Sequence, residues 1–245
     1  MYEILKNGSC ELGYPLTDAQ IMQLEKYAEL LVDWNEKINL TAITDTQGIA
    51  VKHFLDSMSA FETGYVKGKV IDVGTGAGFP GLVLKIANPE ISLTLLDSLN
   101  KRITFLQNVC EDLNINGVEF VHARAEDGAK GALRAKFDTV VSRAVANLTV
   151  LSELCIPYLK IGGRFLALKG PLADDELESA KRAIYILGGE TEKVLEVKIP
   201  YSKLSHKIII IKKVRQTPLQ YPRKAGIPTK NPLEQCYNLK KGVKL

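Results

Sequence analysis

The chain has 245 residues, 46% apolar and 24% charged, the balance of an ordinary globular domain. No run approaches the roughly 20 apolar residues of a membrane-spanning helix, and the opening MYEILKNGSCELGY lacks the apolar core of a secretion signal. Cys10, Cys110, Cys155 and Cys236 stand far apart with no C-x-x-C pair, so a structural zinc or iron–sulfur site is not expected and a reduced, cytoplasmic setting is.

Thr17 to about Glu36 reads as a helix, with capping-box spacing between Thr17 and Gln20 and one apolar face of Ile21, Leu24, Ala28, Leu31 and Val32. A second helix is expected from about Thr46 to Phe61, and the two form a helical cap over residues 1–66. From Lys69 short apolar runs alternate with amphipathic stretches. The runs are Val70–Val73, Leu93–Leu96, Val118–Val121, Thr139–Val141 and Arg164–Leu168; the stretches include Asn100–Leu113, Asn147–Leu159 and Ala173–Leu187. This alternation predicts an α/β fold, a Rossmann-like, mostly parallel sheet with helices on both faces, over residues 67–215. Glu190–Val197 and Lys207–Lys212 have no long helix between them, so a closing hairpin and one antiparallel strand are expected. Residues 216–245 read as an irregular Pro-, Gly- and Lys-rich tail.

Charge divides unevenly. Residues 201–245 hold eleven Lys or Arg against Glu234 alone, a net +10, while residues 1–200 sum to −6. A basic end on an acidic chain suits either a polyanionic partner or a solvated tail, and charge alone leaves both open.

The strongest local signal is Val70-Ile71-Asp72-Val73-Gly74-Thr75-Gly76-Ala77-Gly78-Phe79-Pro80-Gly81. Glycines after a first strand let the backbone turn tightly and approach a ligand. The spacing Gly76-x-Gly78-x-x-Gly81 also fits a dinucleotide fingerprint. Two residues favour S-adenosylmethionine instead. Asp72 at the strand end would repel a pyrophosphate and suit a cationic ligand. Pro80 removes a backbone donor where phosphate would sit. Asp97, at the end of the second strand, can bind a ribose in either cofactor.

With these residues in view the chain resembles the bacterial 16S ribosomal RNA guanine-N7 methyltransferase family, also called the glucose-inhibited division protein B family. The resemblance runs from Trp34–Thr41 to Leu233. It rests on His53-Phe54-Leu55-Asp56-Ser57, Asp72–Gly81, Asp97–Arg102 with Phe105-Leu106, Ala125-Glu126, Ser142-Arg143-Ala144, Leu168-Lys169-Gly170 and Tyr221–Gly226. It implies methyl transfer from S-adenosylmethionine to N7 of a guanine in 16S rRNA, by a cytoplasmic monomer acting on the RNA or the small-subunit particle. It also implies roles. Gly74, Gly76 and Phe79 would line the cofactor site, Asp97 would hold the ribose, and Ser98 and Leu99 would lie beside the adenosine. Ala125 and Glu126 would meet the adenine, and Arg143 would close the site near the methyl donor. Guanine N7 carries a free lone pair, so no catalytic base is expected. Arg143 and Lys169 are candidates to position the base, and His53, Lys169, Arg223 and Lys224 to touch RNA. Other readings are a methyltransferase acting on another RNA or a small molecule, a nicotinamide-dinucleotide oxidoreductase or sensor, and a non-catalytic RNA-binding module.

Overall fold

The computed structural model describes residues 1–143, 145–203 and 205–233, without the side chain of Ser205. Ala144, Cys236 and the basic tail beyond Leu233 therefore lie outside the described residues.

Among the described residues, seven strands form one sheet in the order β3-β2-β1-β4-β5-β7-β6. They are β1 (Lys69–Val73), β2 (Ser92–Asp97), β3 (Val118–His122), β4 (Phe137–Arg143), β5 (Leu159–Lys169), β6 (Gly189–Lys198) and β7 (Ser205–Lys213). β7 alone runs antiparallel, to β5 on one side and β6 on the other, as the missing helix between the last two runs predicts. Alternate residues of each strand point to opposite faces. Val70, Val141, Leu166, Ile208 and Ile210 enter one core; Ile71, Val140, Phe165, Ile209 and Ile211 enter the other.

The first core is covered by α1 (Tyr2–Glu11), α2 (Asp18–Ile38), α5 (Gly81–Ala87), α6 (Asn100–Asp112) and a helical run over residues 46–63. α7 (Ala125–Gly128), α8 (Leu148–Cys155) and α9 (Ala173–Ile186) lie against the second. α2 begins where the capping box places it: Thr17 Oγ1 accepts from Gln20 N and Gln20 Oε1 from Thr17 N. Its buried face is Ile21, Leu24, Tyr27, Ala28 and Leu31, with Tyr27 taking a place that the apolar pattern assigned to the half-buried Val32.

The run over 46–63 is helical as expected but not uniform. α3 (Thr46–Gly48) leads into a π-helical turn, Ile49–Leu55, then α4 (Asp56–Met58) and a 3-10 turn, Ser59–Thr63. One π turn rotates everything after it relative to a regular helix, a distortion common near functional sites. α1 has no counterpart in the periodicity reading, because it buries only Leu5, Gly8 and Ser9. Gly8 is required there, since a Cβ would come within 2.5 Å of Leu55 Cδ1. The C-terminal segment is irregular except for α10 (Ile227–Lys230).

Candidate active site

Two cavities open beside the carboxyl ends of the parallel strands. The first, of about 570 Å³, is bounded by the β1 loop from Gly74 to Ala77, by Phe79, Asp97 and Ser98, and by the Ala123–Glu126 stretch after β3. The second, of about 520 Å³, is bounded by Asp56, Asn147, Lys169, Glu176 and His206 among others. Arg143 and Val145 line both, so they form the partition.

The glycine loop is bent by its sequence. Gly74, Gly76 and Gly78 have φ of +74°, +60° and +97°, where a side chain is strained. A Cβ on Gly74 would lie 2.7 Å from Val145, and one on Gly78 would strike Leu106 and the hydroxyl of Tyr27; Gly76 faces open space. Asp72 does not reach the cavity as the sequence reading supposed. It is fully buried beneath the loop, where Oδ2 accepts from Thr75 Oγ1 and from Gly81 N, both at 2.8 Å. Burial pushes its carboxyl up to about 6, against the pull of those two donors. Its other oxygen has no partner among the described residues. The first amide of α5, which in a dinucleotide site would face phosphate, is thus consumed by Asp72. A pyrophosphate at this helix start would find that amide already hydrogen-bonded, not a carboxylate facing it.

Asp97 is 2% exposed and organises the cavity floor. Its Oδ2 accepts from Gly76 N at 2.9 Å and pairs with Arg102 at 3.4 Å, and its Oδ1 accepts from Leu99 N at 2.9 Å. Oδ1 keeps a lone pair for a ligand hydroxyl. Leu99 contributes that amide only, since its side chain is 53% exposed and lies outside the cavity wall. Glu126 lines the cavity while its Oε1 accepts from Gly226 N at 3.0 Å, which ties the tail to the site. The lining fits an adenosine with a cationic appendage: the Asp97 carboxylate at the end of β2, the Glu126 carboxylate in α7, apolar walls from Phe79 and Ala125, a glycine that leaves open space, and a first α5 amide already taken by Asp72.

On the Arg143 side the partition is built of rings and charges. His53 lies flat on Phe79, with ring centroids 4.5 Å apart at 16°, and the Arg143 guanidinium sits 5.2 Å over the same ring. Arg143 donates to Asp56 Oδ2 at 2.5 Å and to the Lys52 carbonyl at 3.1 Å. It also approaches His53 Nδ1 at 3.4 Å. A guanidinium only donates, so Nδ1 accepts and the His53 proton sits on Nε2, which donates to Thr41 Oγ1 at 2.8 Å. Burial, helped by the Arg143 charge, lowers His53 to about 4, so the ring is neutral. Burial alone would raise Asp56, but the hydrogen bond from His206 and the Arg143 charge outweigh it and hold the carboxyl below its usual range. His206 Nδ1 reaches Asp56 Oδ1 at 2.9 Å.

Of the residues singled out in the sequence, His53, Gly74, Gly76, Phe79, Asp97, Ser98, Ala125, Glu126 and Arg143 meet around the first cavity. Lys169 stands apart from them in the second. Arg223 and Lys224 line neither cavity. Arg223 binds the buried Glu153 through Nε at 2.9 Å and NH2 at 2.7 Å, and Lys224 is exposed. Asp56, His206 and Glu176 escaped sequence reasoning as site residues. Asp56 lay within the His53–Ser57 motif; His206 and Glu176 carried no local signal. Leu40 and Thr41 were missed as cavity lining although Asn35 marks them, its Oδ1 accepting from both amides.

The chain matches the family described as GidB, rRNA small subunit methyltransferase G, over residues 20–205. Among curated proteins it is 53% identical to the ribosomal RNA small subunit methyltransferase G of Alkaliphilus oremlandii, over 95% of this chain and 98% of that protein. The protein of the same name from Clostridium novyi is 51% identical, over 95% and 97%. Among solved structures, M. jannaschii TYW2 in complex with AdoMet aligns with a TM-score of 0.53 at 15% identity, covering 71% of this chain and 80% of that one. A SAM-dependent methyltransferase from Aquifex aeolicus gives 0.51 at 17%, covering 69% and 94%. Those two likenesses speak to the fold, whereas the family match and the near-full-length identities speak to kinship. The chain belongs to the GidB family, the rRNA small subunit methyltransferases G.

Proposed function

We propose that the protein transfers a methyl group from S-adenosylmethionine to N7 of a guanine in 16S rRNA. The observation that carries this reading is the pair of cavities sharing Arg143, one suited to the methyl donor and one free for the acceptor base. The cofactor supplies an electrophilic methyl on a sulfonium. Asp97, with Gly76 and Leu99 locked to it, fixes the ribose end, and Ala125 and Glu126 border the adenine end. The N7 lone pair needs no prior deprotonation, so the residues need only align donor and acceptor. Alignment alone supplies roughly 7–11 kcal/mol in a well-ordered site. His53, neutral and stacked on Phe79, acts as a wall and not as a base.

The catalytic unit of this proposal is a monomer, and the substrate is the rRNA or the small-subunit particle. Lys52, Arg124 and Lys224 are exposed cations available to phosphate, whereas Arg223 is committed to Glu153. The test is to incubate the protein with labelled S-adenosylmethionine and either small-subunit rRNA or intact particles, then map N7-methylguanosine. Methyl transfer to a base nitrogen other than guanine N7, or titration showing NAD binding in place of S-adenosylmethionine, would overturn it.

A further inference from the structure

The second cavity contains an ion pair whose free atoms form a pattern. Lys169, at the end of β5, has a side chain only 8% exposed. Its Nζ donates to the Ala146 carbonyl at 2.7 Å and lies 2.7 Å from Glu176 Oε2, which leaves one N–H over. Glu176, in the first turn of α9, is fixed through that same Oε2, which also accepts from Leu148 N at 2.7 Å. Its Oε1 has no partner among the described residues. A half-buried carboxylate is thus held by one oxygen, with the other unused beside a lysine proton also unused.

We propose that the Lys169–Glu176 pair reads the acceptor base as guanine, with Lys169 Nζ donating to O6 and Glu176 Oε1 accepting from N1–H. This rests on the functional reading above and deepens it. Guanine sets an acceptor, O6, next to a donor, N1–H. Adenine reverses both, with an amino group at C6 and a lone pair at N1. A lysine beside a carboxylate complements the first order and opposes the second. The fold places the pair as well. Leu168 of β5 pairs with Arg143 of β4, so Lys169 stands one residue past the partition, and both Lys169 and Glu176 line the second cavity and not the first. Around the perimeter of a guanine N7, O6 and N1 follow in that order, O6 being shared by the Hoogsteen and Watson–Crick edges. A base with O6 on Lys169 and N1 on Glu176 therefore keeps N7 free, on the side of O6 away from Glu176.

The experiment replaces the mapped acceptor guanosine in assembled small-subunit particles with inosine or with 2-aminopurine riboside. Both keep N7, but only inosine keeps O6 and N1–H. The wild-type protein should methylate inosine within about threefold of guanosine and 2-aminopurine at least about 100-fold more slowly, because a site built to hydrogen-bond a substrate leaves its own polar groups unpaired when the partner is missing. Glu176→Gln keeps a carbonyl for Leu148 N and Lys169 while turning the free oxygen into a donor. It should lower kcat/KM for guanosine RNA by about 10- to 100-fold, leave S-adenosylmethionine affinity within about twofold, and shrink the preference for guanosine over 2-aminopurine at least about tenfold. Equal methylation of both analogues by the wild type, or an undiminished preference in Glu176→Gln, overturns the assignment. No transfer to unmodified guanosine particles would instead remove the functional reading, and the pair's role with it.

Discussion

Asp97 draws on two backbone amides and one arginine while it faces the cofactor cavity, so its loss acts twice. Asp97→Ala removes a charge-assisted contact to the ligand and frees Gly76 and Leu99. S-adenosylmethionine binding should weaken by about 1–3 kcal/mol, read by calorimetric titration; unchanged affinity would take Asp97 out of the site. Two buried residues make a paired prediction about acid. His53 is lowered to about 4, so from there to its ordinary 6.5 the unfolded chain holds a proton the native chain lacks, and stability rises with pH. Asp72 is raised to about 6, so between 3.8 and 6 the native chain holds the extra proton, and stability falls with pH. The two slopes oppose each other from about 4 to 6. Relative to wild type, His53→Gln should lose stability as pH rises through that window, and Asp72→Asn should gain it. Denaturant titrations at pH 4, 5 and 6 check the signs; parallel curves for all three proteins would mean that neither group titrates as its burial requires.

Among the elements, those with strong periodicity were legible and those held by tertiary contact were not. β1 and β2 were legible from short aliphatic-rich runs and β7 from its isoleucines; β5 was legible only from Arg164 on, because Lys160, Gly162 and Gly163 break the apolar run in its first half, and Leu159 was read as the end of a helix. α2 announced itself through its capping box. α1 did not, because it packs through a small residue, Gly8, against Leu55 and shows no apolar stripe. The π turn left no trace in composition, yet it is the turn that carries His53. The glycine loop and Asp97 were legible from spacing. The Asp56–His206 contact was not, because it joins residues 150 positions apart.

The C-terminal segment shows the same divide. Its charge was plain, but not which cation is occupied. Arg223→Ala takes the guanidinium from the Glu153 carboxylate, 1% exposed, leaving it the backbone N–H of residue 223 as an uncharged partner, and should destabilise the protein by about 3 kcal/mol. Lys224→Ala should leave stability unaltered and, if Lys224 meets phosphate, reduce the log–log salt slope of RNA binding by roughly one unit. Thermal denaturation and binding across a salt series separate the two. Equal stability loss in both variants would remove the distinction.

At the scale of the whole molecule, one buried amine fastens the end of the sheet to the C-terminal segment. Lys213 is 1% exposed, with Nζ donating to the Ile156 carbonyl and to Thr217 Oγ1. Burial, with some help from Arg134, lowers it to about 7. Between 7 and the unfolded value of 10.5 the unfolded chain binds the extra proton, so native stability rises with pH across that interval and levels off below 7. Lys213→Met should flatten that rise; a profile as steep as wild type would show the amine to be charged in the fold.

The strand order β5-β7-β6 has a consequence for synthesis. β7 is the last described strand to be translated, yet it lies between two made before it, so β5 and β6 are not joined into one sheet until β7 arrives. Every residue lining the first cavity precedes residue 155, whereas His206, Lys207 and Ile208 of the second come with β7. A nascent chain emerging amino end first thus holds every lining residue of the first cavity before it holds those of the second. A chain halted before residue 205 shows the open apolar edge of β5, an invitation to aggregation and proteolysis. The order that sets β7 inside the sheet thus keeps part of the second cavity's lining from any chain that stops before residue 205.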